Sequence, residues 1–417
     1  MREHLINNRR KFYEALDNNS FAIIYSGSEV HKSADSSYNF FINNNFYYLT
    51  GIDQSNVILV IGKLSDTYFE WLFLKPCDEY TAKWLGETLS FEKASEISGI
   101  NVRNIFDIEQ FSIKTDALYQ SNRYGLHEAE TVYLDLEQRN TSLYNTLALD
   151  YARKLRDRFP SINVKNCYNQ IILQRMCKNE AEIAKIKESI GTTKRAIENV
   201  MIHHNELTNE SIANAYHDFT IIKEGKTLSF NDIIASGKNA TVLHYDDNNS
   251  EIVENSLLLM DVGSYTSHYS SDITRTFPVN GRFTERQKEV YEVVLNTNKK
   301  CIEYAKDGMS WKELNDYAKG LLAEGCKKLG LIKEDSELIK YYFHSIGHSL
   351  GLDVHDPNIA SLGLKEGMVI TIEPGLYIPE ESIGIRIEDN IVITKDKAIN
   401  LSIDIIKEVE DIENFMK

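Results

Sequence analysis

Thiols arranged to hold a metal or to form disulfides are missing from this sequence. Its five cysteines are an odd number, lie far apart and include no CxxC pair, so neither a disulfide framework nor a thiolate metal site is indicated. Proline is scarce, with 6 residues in 417, and no low-complexity or collagen-like bias is present. We therefore expect a globular chain whose cysteines are reduced packing residues.

Long apolar runs and basic clusters are missing as well. No stretch approaches the ~18 apolar residues of a membrane span, and the N-terminal segment MREHLINNRRKFYEAL lacks the apolar core of a signal peptide. The formal net charge is −16, without a basic arm, which argues against nucleic acid or an anionic membrane as a partner. These absences predict a cytoplasmic protein that binds neither.

The length of the chain exceeds the usual limit of a single core, so two domains are expected. Residues 1–170 mix β-rich runs with helical segments and are predicted to form a smaller α/β domain. Its candidate strands are 21–25, 46–49, 57–61, 69–74 and 131–134, with a helix near 108–120. The aromatic cluster FFINNNFYYLTG is expected to serve core and interface packing, with a ligand-stacking surface as the alternative. Residues 171–417 are predicted to form the second domain.

Helix starts in the second domain are marked by capping boxes, in which an N-cap residue is followed three positions later by Glu or Gln. The three pairs are Asn179 with Glu182, Thr284 with Gln287, and Ser310 with Glu313. Apolar residues then repeat at helical spacing after each pair. Three long helices are therefore predicted there.

Four carboxylates and one histidine stand on or beside apolar, strand-like runs of the second domain. They are Asp261 in LLLMDVG, Asp272 in SSDITRT, His348 in HSIGHSLG, Glu373 in ITIEPG and Glu388 in IRIEDN. The carboxylates form two pairs, eleven residues (272 − 261) and fifteen residues (388 − 373) apart. Each interval has room for a strand, a turn and a returning strand, so each pair can face one point. The repeated plan suggests a duplicated αβ unit.

Buried carboxylates are costly unless a cation compensates them, so this pattern predicts a site for two divalent metal ions. Oxygen donors with one imidazole and no thiolate suit Mn²⁺ best, with Co²⁺, Fe²⁺ or Zn²⁺ as alternatives. Paired metal ions stand ~3.5–4 Å apart and lower the pKa of a shared water to about 7. Hydrolysis is the reaction class that such a site favours.

The order and content of these motifs resemble the pita-bread metallopeptidases, and within them aminopeptidase P and the related prolidases. The matching segments are FNDIIASGKNATVLHYDDN, LLLMDVGSYTSHYSSDITRTFPVNG, HSIGHSLGLDVHD, GMVITIEPGLYIP and GIRIEDNIVI, with a looser N-terminal match around FYYLTGI. The resemblance implies an α+β chain in which a C-terminal pita-bread catalytic domain follows a smaller α/β N-terminal domain.

The resemblance also implies a division of roles among the five metal-binding residues. Asp261 would bind one ion, Asp272 and Glu388 would bridge both, and His348 and Glu373 would complete the second site. Glu373 would also carry the proton that is taken from the water between the ions.

The resemblance also implies supporting roles for residues that surround the metal ligands. His244 and His355 would orient the substrate and stabilise the oxyanion, and Arg386 would hold carboxylates in place. His344 is a competing candidate for the metal ligand, but the HxxGHxxGLDVHD pattern favours His348, with His344 lining the substrate site. Tyr377 either hydrogen-bonds at the site or simply packs.

Association between copies of the chain is expected. Trp84 in AKWLG either reaches the site of a neighbouring subunit, as in some aminopeptidases P, or packs locally. A homo-oligomer, a dimer or a tetramer, is predicted.

The implied activity is removal of the N-terminal residue from peptides whose second residue is proline. A prolidase, restricted to Xaa-Pro dipeptides, shares the metal-binding residues and stays open as the alternative. A methionine aminopeptidase would not need the N-terminal domain. A binding protein without catalysis, or a metal-free creatinase-like hydrolase, is expected to have lost ligands, and all five are present here.

Overall fold

The computed structural model describes residues 2–65, 67–77, 79–119, 129–138 and 145–417. The chain divides into two compact units, Met1–Arg175 and Met176–Lys417. The predicted limit between 170 and 171 falls inside a helix, Tyr168–Arg175, that belongs to the first unit. The domain limits 1–170 and 171–417 therefore stay a prediction.

The first unit is a mixed α/β layer structure. Its described strands are β1 (Ser20–Tyr25), β2 (His31–Ser33), β3 (Ser36–Ser37), β4 (Ile58–Leu64), β5 (Thr67–Leu74), β6 (Ile105–Asp107), β7 (Thr131–Leu134) and β8 (Asn163–Asn166). Its described helices are α1 (Arg2–Glu14), α2 (Asn44–Thr50), α3 (Glu79–Leu85), α4 (Phe91–Ser98), α5 (Phe111–Tyr119), α6 (Leu147–Arg158) and α7 (Tyr168–Arg175). Six strands form one sheet in the order β6-β5-β4-β1-β7-β8. The central strand β1 is apolar almost throughout because both of its faces are buried.

The predicted strand at 46–49 is wrong, because these residues lie in helix α2. Asn43 caps this helix by accepting a hydrogen bond from the Phe46 amide at 2.9 Å. Gly51 closes it with a left-handed backbone, φ +68. A short apolar run does not separate helix from strand, and here the two caps decide against the β-propensity of the aromatics. Phe46 and Tyr48 are buried, as the core prediction required, whereas Phe41 is 65% exposed.

The second unit combines helices with small antiparallel sheets. Its described strands are β9 (Thr227–Leu228), β10 (Ile233–Ser236), β11 (Leu257–Val262), β12 (Ser264–Thr266), β13 (Tyr269–Ser270), β14 (Ile273–Pro278), β15 (Val369–Ile372), β16 (Gly375–Ile378), β17 (Ile383–Arg386), β18 (Asp389–Ile393) and β19 (Ala398–Asn400). Its described helices are α8 (Glu180–Ile202), α9 (Glu210–Lys223), α10 (Glu285–Tyr304), α11 (Trp311–Lys328) and α12 (Val409–Phe415). The three predicted capping boxes are present at the starts of α8, α10 and α11. Among the helices that the structure describes, none has the length and apolar character needed to cross a bilayer.

Two halves of this unit follow the same plan. Helices α8 and α9 pack together and precede the sheet β10-β11-β14, and helices α10 and α11 pack together and precede the sheet β15-β18-β19. Strand β11 pairs antiparallel with β14, and β15 pairs antiparallel with β18. Along the chain, two short strands separate the members of each pair. The antiparallel pairing returns the chain to its starting edge, so residues at the end of one strand and the start of the next meet.

A buried ion cluster joins β14 to β18. Arg275 donates from Nη2 to Oδ1 of Asp389 at 2.8 Å, and Lys407 contacts the other oxygen of the same carboxylate. Arg275 also donates from Nη1 to the carbonyl oxygen of Glu388 at 2.6 Å. Buried charges are tolerated when they are paired and hydrogen-bonded, as they are here. The cluster therefore sets the spacing between the two halves at the level of the candidate site.

We expect Asp389→Asn to lower the free energy of unfolding by about 3–5 kcal/mol, because removing one partner leaves buried cations uncompensated. Denaturant unfolding at neutral pH measures this. Glu324→Gln is the control, since its ion pair with Lys328 lies at the surface and its loss should leave stability nearly unchanged. Equal stability of wild type and Asp389→Asn would contradict the role given to the cluster.

Candidate active site

The strand ends of the two halves bring the predicted residues into one cleft of about 520 Å³. Asp261 lies on β11, Asp272 directly precedes β14, Glu373 directly follows β15 and Glu388 directly precedes β18. Potential ligand atoms lie within 4.8 Å of one another in three overlapping groups: Asp261 with Asp272 and Glu388, His348 with Glu373 and Glu388, and Asp272 with His348 and His355. Asp272, His348 and Glu388 each belong to two of these groups. Two neighbouring metal ions would share ligands in this way.

The His348 ring turns its Nε2 toward the carboxylates. Its Nδ1 lies 3.0 Å from the carbonyl oxygen of Ser349, which can only accept, so Nδ1 is a donor. Nε2 lies 3.3 Å from Oδ2 of Asp272 and 3.7 Å from Oε1 of Glu373. Nε2 and the two carboxylate oxygens can stand this close when a cation or a proton lies between them. This orientation is typical of a metal-binding histidine.

Burial makes two carboxylates of this cluster, those of Asp272 and Glu388, hard to ionise. Burial, together with the charges of Asp261 and Glu373, raises the pKa of Asp272 well above its ordinary value. Burial and the neighbouring Asp272 likewise raise the pKa of Glu388. Oδ1 of Asp261 and Oε1 of Glu388 are buried without a hydrogen-bond partner among the described residues. Divalent cations would compensate the charge and satisfy both oxygens, so the residues present fit such ions.

Arg386 is the buried cation that contacts this acidic cluster. It donates from Nη2 to Oδ2 of Asp261 at 2.7 Å, from Nη1 to the Tyr377 hydroxyl at 3.0 Å and from Nε to Oγ1 of Thr274 at 3.1 Å. The Thr274 hydroxyl donates in turn to Oε2 of Glu388 at 2.8 Å. Arg386 thereby fixes the orientation of one carboxylate directly and of another through a hydroxyl.

Two threonines contribute contacts that the sequence interpretation missed. Thr274 contacts Arg386 and Glu388. Oγ1 of Thr371 accepts from the His348 amide at 3.0 Å and donates to Oε1 of Glu373 at 3.4 Å. Each lies two positions from a predicted carboxylate on a strand, which places it on the same face. That period of two was the signal that could have found them.

His344 lines the cleft and is hydrogen-bonded to Tyr377, which is buried and is not part of the cleft lining. Nδ1 of His344 donates to the carbonyl oxygen of Ser345 at 2.7 Å, and its Nε2 accepts from the Tyr377 hydroxyl at 2.8 Å. Burial, and then the charge of Arg386, lowers the pKa of His344 to about 4, so the ring is neutral at physiological pH. Tyr377 both packs in the core and hydrogen-bonds. With both nitrogens engaged, His344 lines the cleft and lies outside the three ligand groups.

His244 and His355 lie at the open side of the cleft, and both residues are exposed. The His355 ring centroid is 4.2 Å from that of His348. His244 belongs to an irregular segment between β10 and β11. The described residues show no hydrogen bond to its ring, so the backbone of this segment determines where the ring lies.

The fold and the donor set define a metal-dependent hydrolase. The model of metallopeptidase family M24 matches residues 184–395, and that of the aminopeptidase P N-terminal domain matches residues 5–127. The chain belongs to the M24 metallopeptidases, in the aminopeptidase P branch that carries this N-terminal domain. The predicted α+β fold with a C-terminal pita-bread domain, and the predicted metallopeptidase class, are confirmed.

Known proteins are similar to the chain over its whole length. The Xaa-Pro aminopeptidase of Escherichia coli is 32% identical over 100% of this chain and 98% of its own, and that of Haemophilus influenzae is 31% identical over 100% and 97%. A solved structure of a putative aminopeptidase P from Bacillus anthracis matches with a TM-score of 0.96 and 45% identity, covering 100% of this chain and 98% of its own. Aminopeptidase P from E. coli in its low-pH form matches with a TM-score of 0.89 and 30% identity over the same shares.

We expect Asp272→Ala and Glu388→Ala each to abolish activity together with stable metal binding, because each residue belongs to two of the three ligand groups. Metal analysis of the purified variants measures the loss. Asp246→Ala is the matched control, since it removes an exposed carboxylate from the same cleft and should keep the wild-type metal content. Near-wild-type metal with full turnover in either ligand variant would contradict a two-metal site.

Proposed function

We propose that the chain releases the first residue from peptides with proline in the second position, and that it acts in the cytoplasm. The observation that carries this proposal is the single cleft in which four carboxylates and one imidazole converge, within a chain of the aminopeptidase P branch. The metal ligands would be Asp261, Asp272, His348, Glu373 and Glu388. Mn²⁺ is the proposed ion, with Co²⁺, Fe²⁺ or Zn²⁺ as alternatives.

Glu373 is proposed to move the proton. When bound, the cations supply Lewis acidity and lower the pKa of water toward about 7. Burial raises the pKa of Glu373, while His348 and Arg386 act in the opposite direction. Oε1 of Glu373 receives the weak hydrogen bond of Thr371, which leaves Oε2 to accept a proton and to release it to the departing proline nitrogen.

The remaining cleft residues are proposed to bind substrate and to stabilise its developing charge. His244 and His355 would donate hydrogen bonds to the oxyanion of the scissile carbonyl. Arg386 would hold Asp261 and Tyr377, and neutral His344 would line the substrate cleft beside Tyr377. Orientation of this kind costs no rearrangement at the moment of reaction.

A prolidase would use the same metal-binding residues, so the cleft by itself does not separate the two activities. The full-length relatives named Xaa-Pro aminopeptidase favour the aminopeptidase. A binding protein without catalysis is disfavoured because all five donors, with His244 and His355, are present in one cleft.

With Mn²⁺ present, the enzyme should cleave Xaa-Pro-Yaa and longer peptides and leave Xaa-Ala-Yaa nearly untouched. Proline lacks an amide hydrogen and needs a shaped pocket. Such a pocket discriminates by about 1–3 kcal/mol per methylene, so weak side activities are allowed. Chromatography of the released residue measures cleavage, and a chelator should stop it. Cleavage of Xaa-Pro dipeptides with none of tripeptides would establish the prolidase instead.

We expect His244→Ala to keep the fold and the metal content while kcat falls by about 10²–10³, the usual loss for one oxyanion donor. Steady-state kinetics with metal analysis on one sample tests this. His204→Ala serves as the control, because this histidine is buried and is not part of the cleft lining. Wild-type turnover in His244→Ala, or loss of its metal, would show the assignment to be wrong.

A homo-oligomer, a dimer or a tetramer, is proposed from the first unit. Trp84 and Tyr80 on α3 are 73% and 72% exposed, and large exposed aromatics are typical of interfaces. Light scattering at micromolar concentration should give at least twice the mass of one chain, and Trp84→Ala should weaken the association. A fully active monomer would count against it.

A further inference from the structure

The position of His244 depends on the segment that carries it, residues 236–250. After Ser236, the last residue of β10, this segment contains one short 3-10 turn, Gly237–Thr241, and is otherwise irregular. Because the described residues show no hydrogen bond to the His244 ring, the segment needs another anchor to hold the ring at the cleft. The contacts of the segment therefore decide whether His244 is preorganised.

A single buried carboxylate, that of Glu210, binds the segment on both sides of His244. Glu210 is the first residue of α9 and is fully buried. Its Oε1 accepts from the amide and the hydroxyl of Ser236, at 2.7 and 2.9 Å, and from Nδ2 of Asn239 at 3.0 Å. Its Oε2 accepts from the hydroxyl of Tyr245 at 2.7 Å and from the amide of Ser250 at 3.0 Å.

Glu210 is satisfied by this segment alone. Among the described residues, no lysine, arginine or histidine forms an ion pair with it. The carboxylate stands at the N-terminus of α9, where the helix dipole favours a negative charge. A buried anion without a cation is stable only while several donors point at it. All five donors lie within residues 236–250, and Tyr245 is the immediate neighbour of His244.

Apolar packing also holds the segment. Tyr245 lies against a small apolar cluster of Ile233, Ala235, Ala240 and Leu259. Leu259 is on β11, two residues before Asp261. The Tyr245 side chain, with its hydroxyl on Glu210 and its ring against this cluster, thus links the anchor to the strand that carries a candidate metal ligand.

We propose that Glu210 is a positioning residue that holds His244 at the cleft through its hydrogen bonds to residues 236–250. This inference rests on the role given to His244 in the proposed function. Glu210 lies outside the cleft lining, so it acts through His244 and touches no substrate.

Glu210→Gln is the test, because glutamine keeps the shape and replaces one acceptor oxygen with a donor. The new NH₂ group would face donors that cannot all turn away, such as the Ser236 or Ser250 amide. We expect kcat to fall by about 10-fold or more, up to the ~10²–10³ of the His244→Ala loss, with metal content unchanged. Tyr245→Phe, which removes one of the five donors, should show a smaller loss.

The double variant Glu210→Gln/His244→Ala separates positioning from general stability. Once the ring is absent, its anchor has nothing left to position, so kcat of the double variant should equal that of His244→Ala within about 2-fold. Multiplication of the two single losses would overturn the proposal, as would wild-type kinetics in Glu210→Gln. If Glu210→Gln does not fold, Tyr245→Phe replaces it in the double-mutant cycle and is measured in the wild-type and the His244→Ala enzyme.

Crystal structures of wild type and Glu210→Gln test the inference without any activity. We expect the His244 ring to move by about 1 Å or more, a displacement large enough to cost catalysis, and an unmoved ring would overturn the proposal. Wild-type turnover in His244→Ala would instead remove the catalytic role of His244, and a chain without peptidase activity would remove the proposed function. Neither of those results alters the structural comparison.

Discussion

The central constraint on this structure is the concentration of buried negative charge in one cleft. Asp272 and Glu388 are 5% and 1% exposed and lie beside Asp261 and Glu373, and these neighbours add to the cost of ionising both. Arg386 offsets part of that charge from one side. The negative charge that Arg386 leaves uncompensated requires bound cations, so the buried carboxylates and the metal ions depend on each other.

The surrounding fold keeps these charges close together. Antiparallel pairing of β11 with β14 and of β15 with β18 returns the backbone to the same edge, and the Arg275–Asp389 cluster ties the two pairs to each other. Strands make rigid supports, because side chains on one face cannot shift without changing the register. Metal ligands placed at strand ends are therefore well suited to a fixed coordination geometry.

Residues proposed to meet the substrate are supported differently. His244 and His355 lie on irregular segments at the open side of the cleft, where shape can follow the peptide. Buried contacts to charged groups restrain both segments. Glu210 binds the segment around His244. Asp356, the residue after His355, forms a buried ion pair with Lys178 at 2.8 Å. Rigid ligands with anchored loops give a site that is preorganised yet accessible.

The sequence predicts those features that depend on residues close together along the chain. The capping boxes, the strands with alternating or buried apolar runs, and the five donors in their motifs are local patterns. Helix α2 escaped because its caps, Asn43 and Gly51, outweighed the β-propensity of the aromatics between them. The spacing of two between Asp272 and Thr274 is also local, but the hydrogen bond from Thr274 to Glu388 spans 114 residues. Glu210 escaped because its partners lie 26 to 40 residues further along the chain. Only the folded chain decides such contacts, since burial and long-range packing select the partners of a polar side chain, and no local pattern records them.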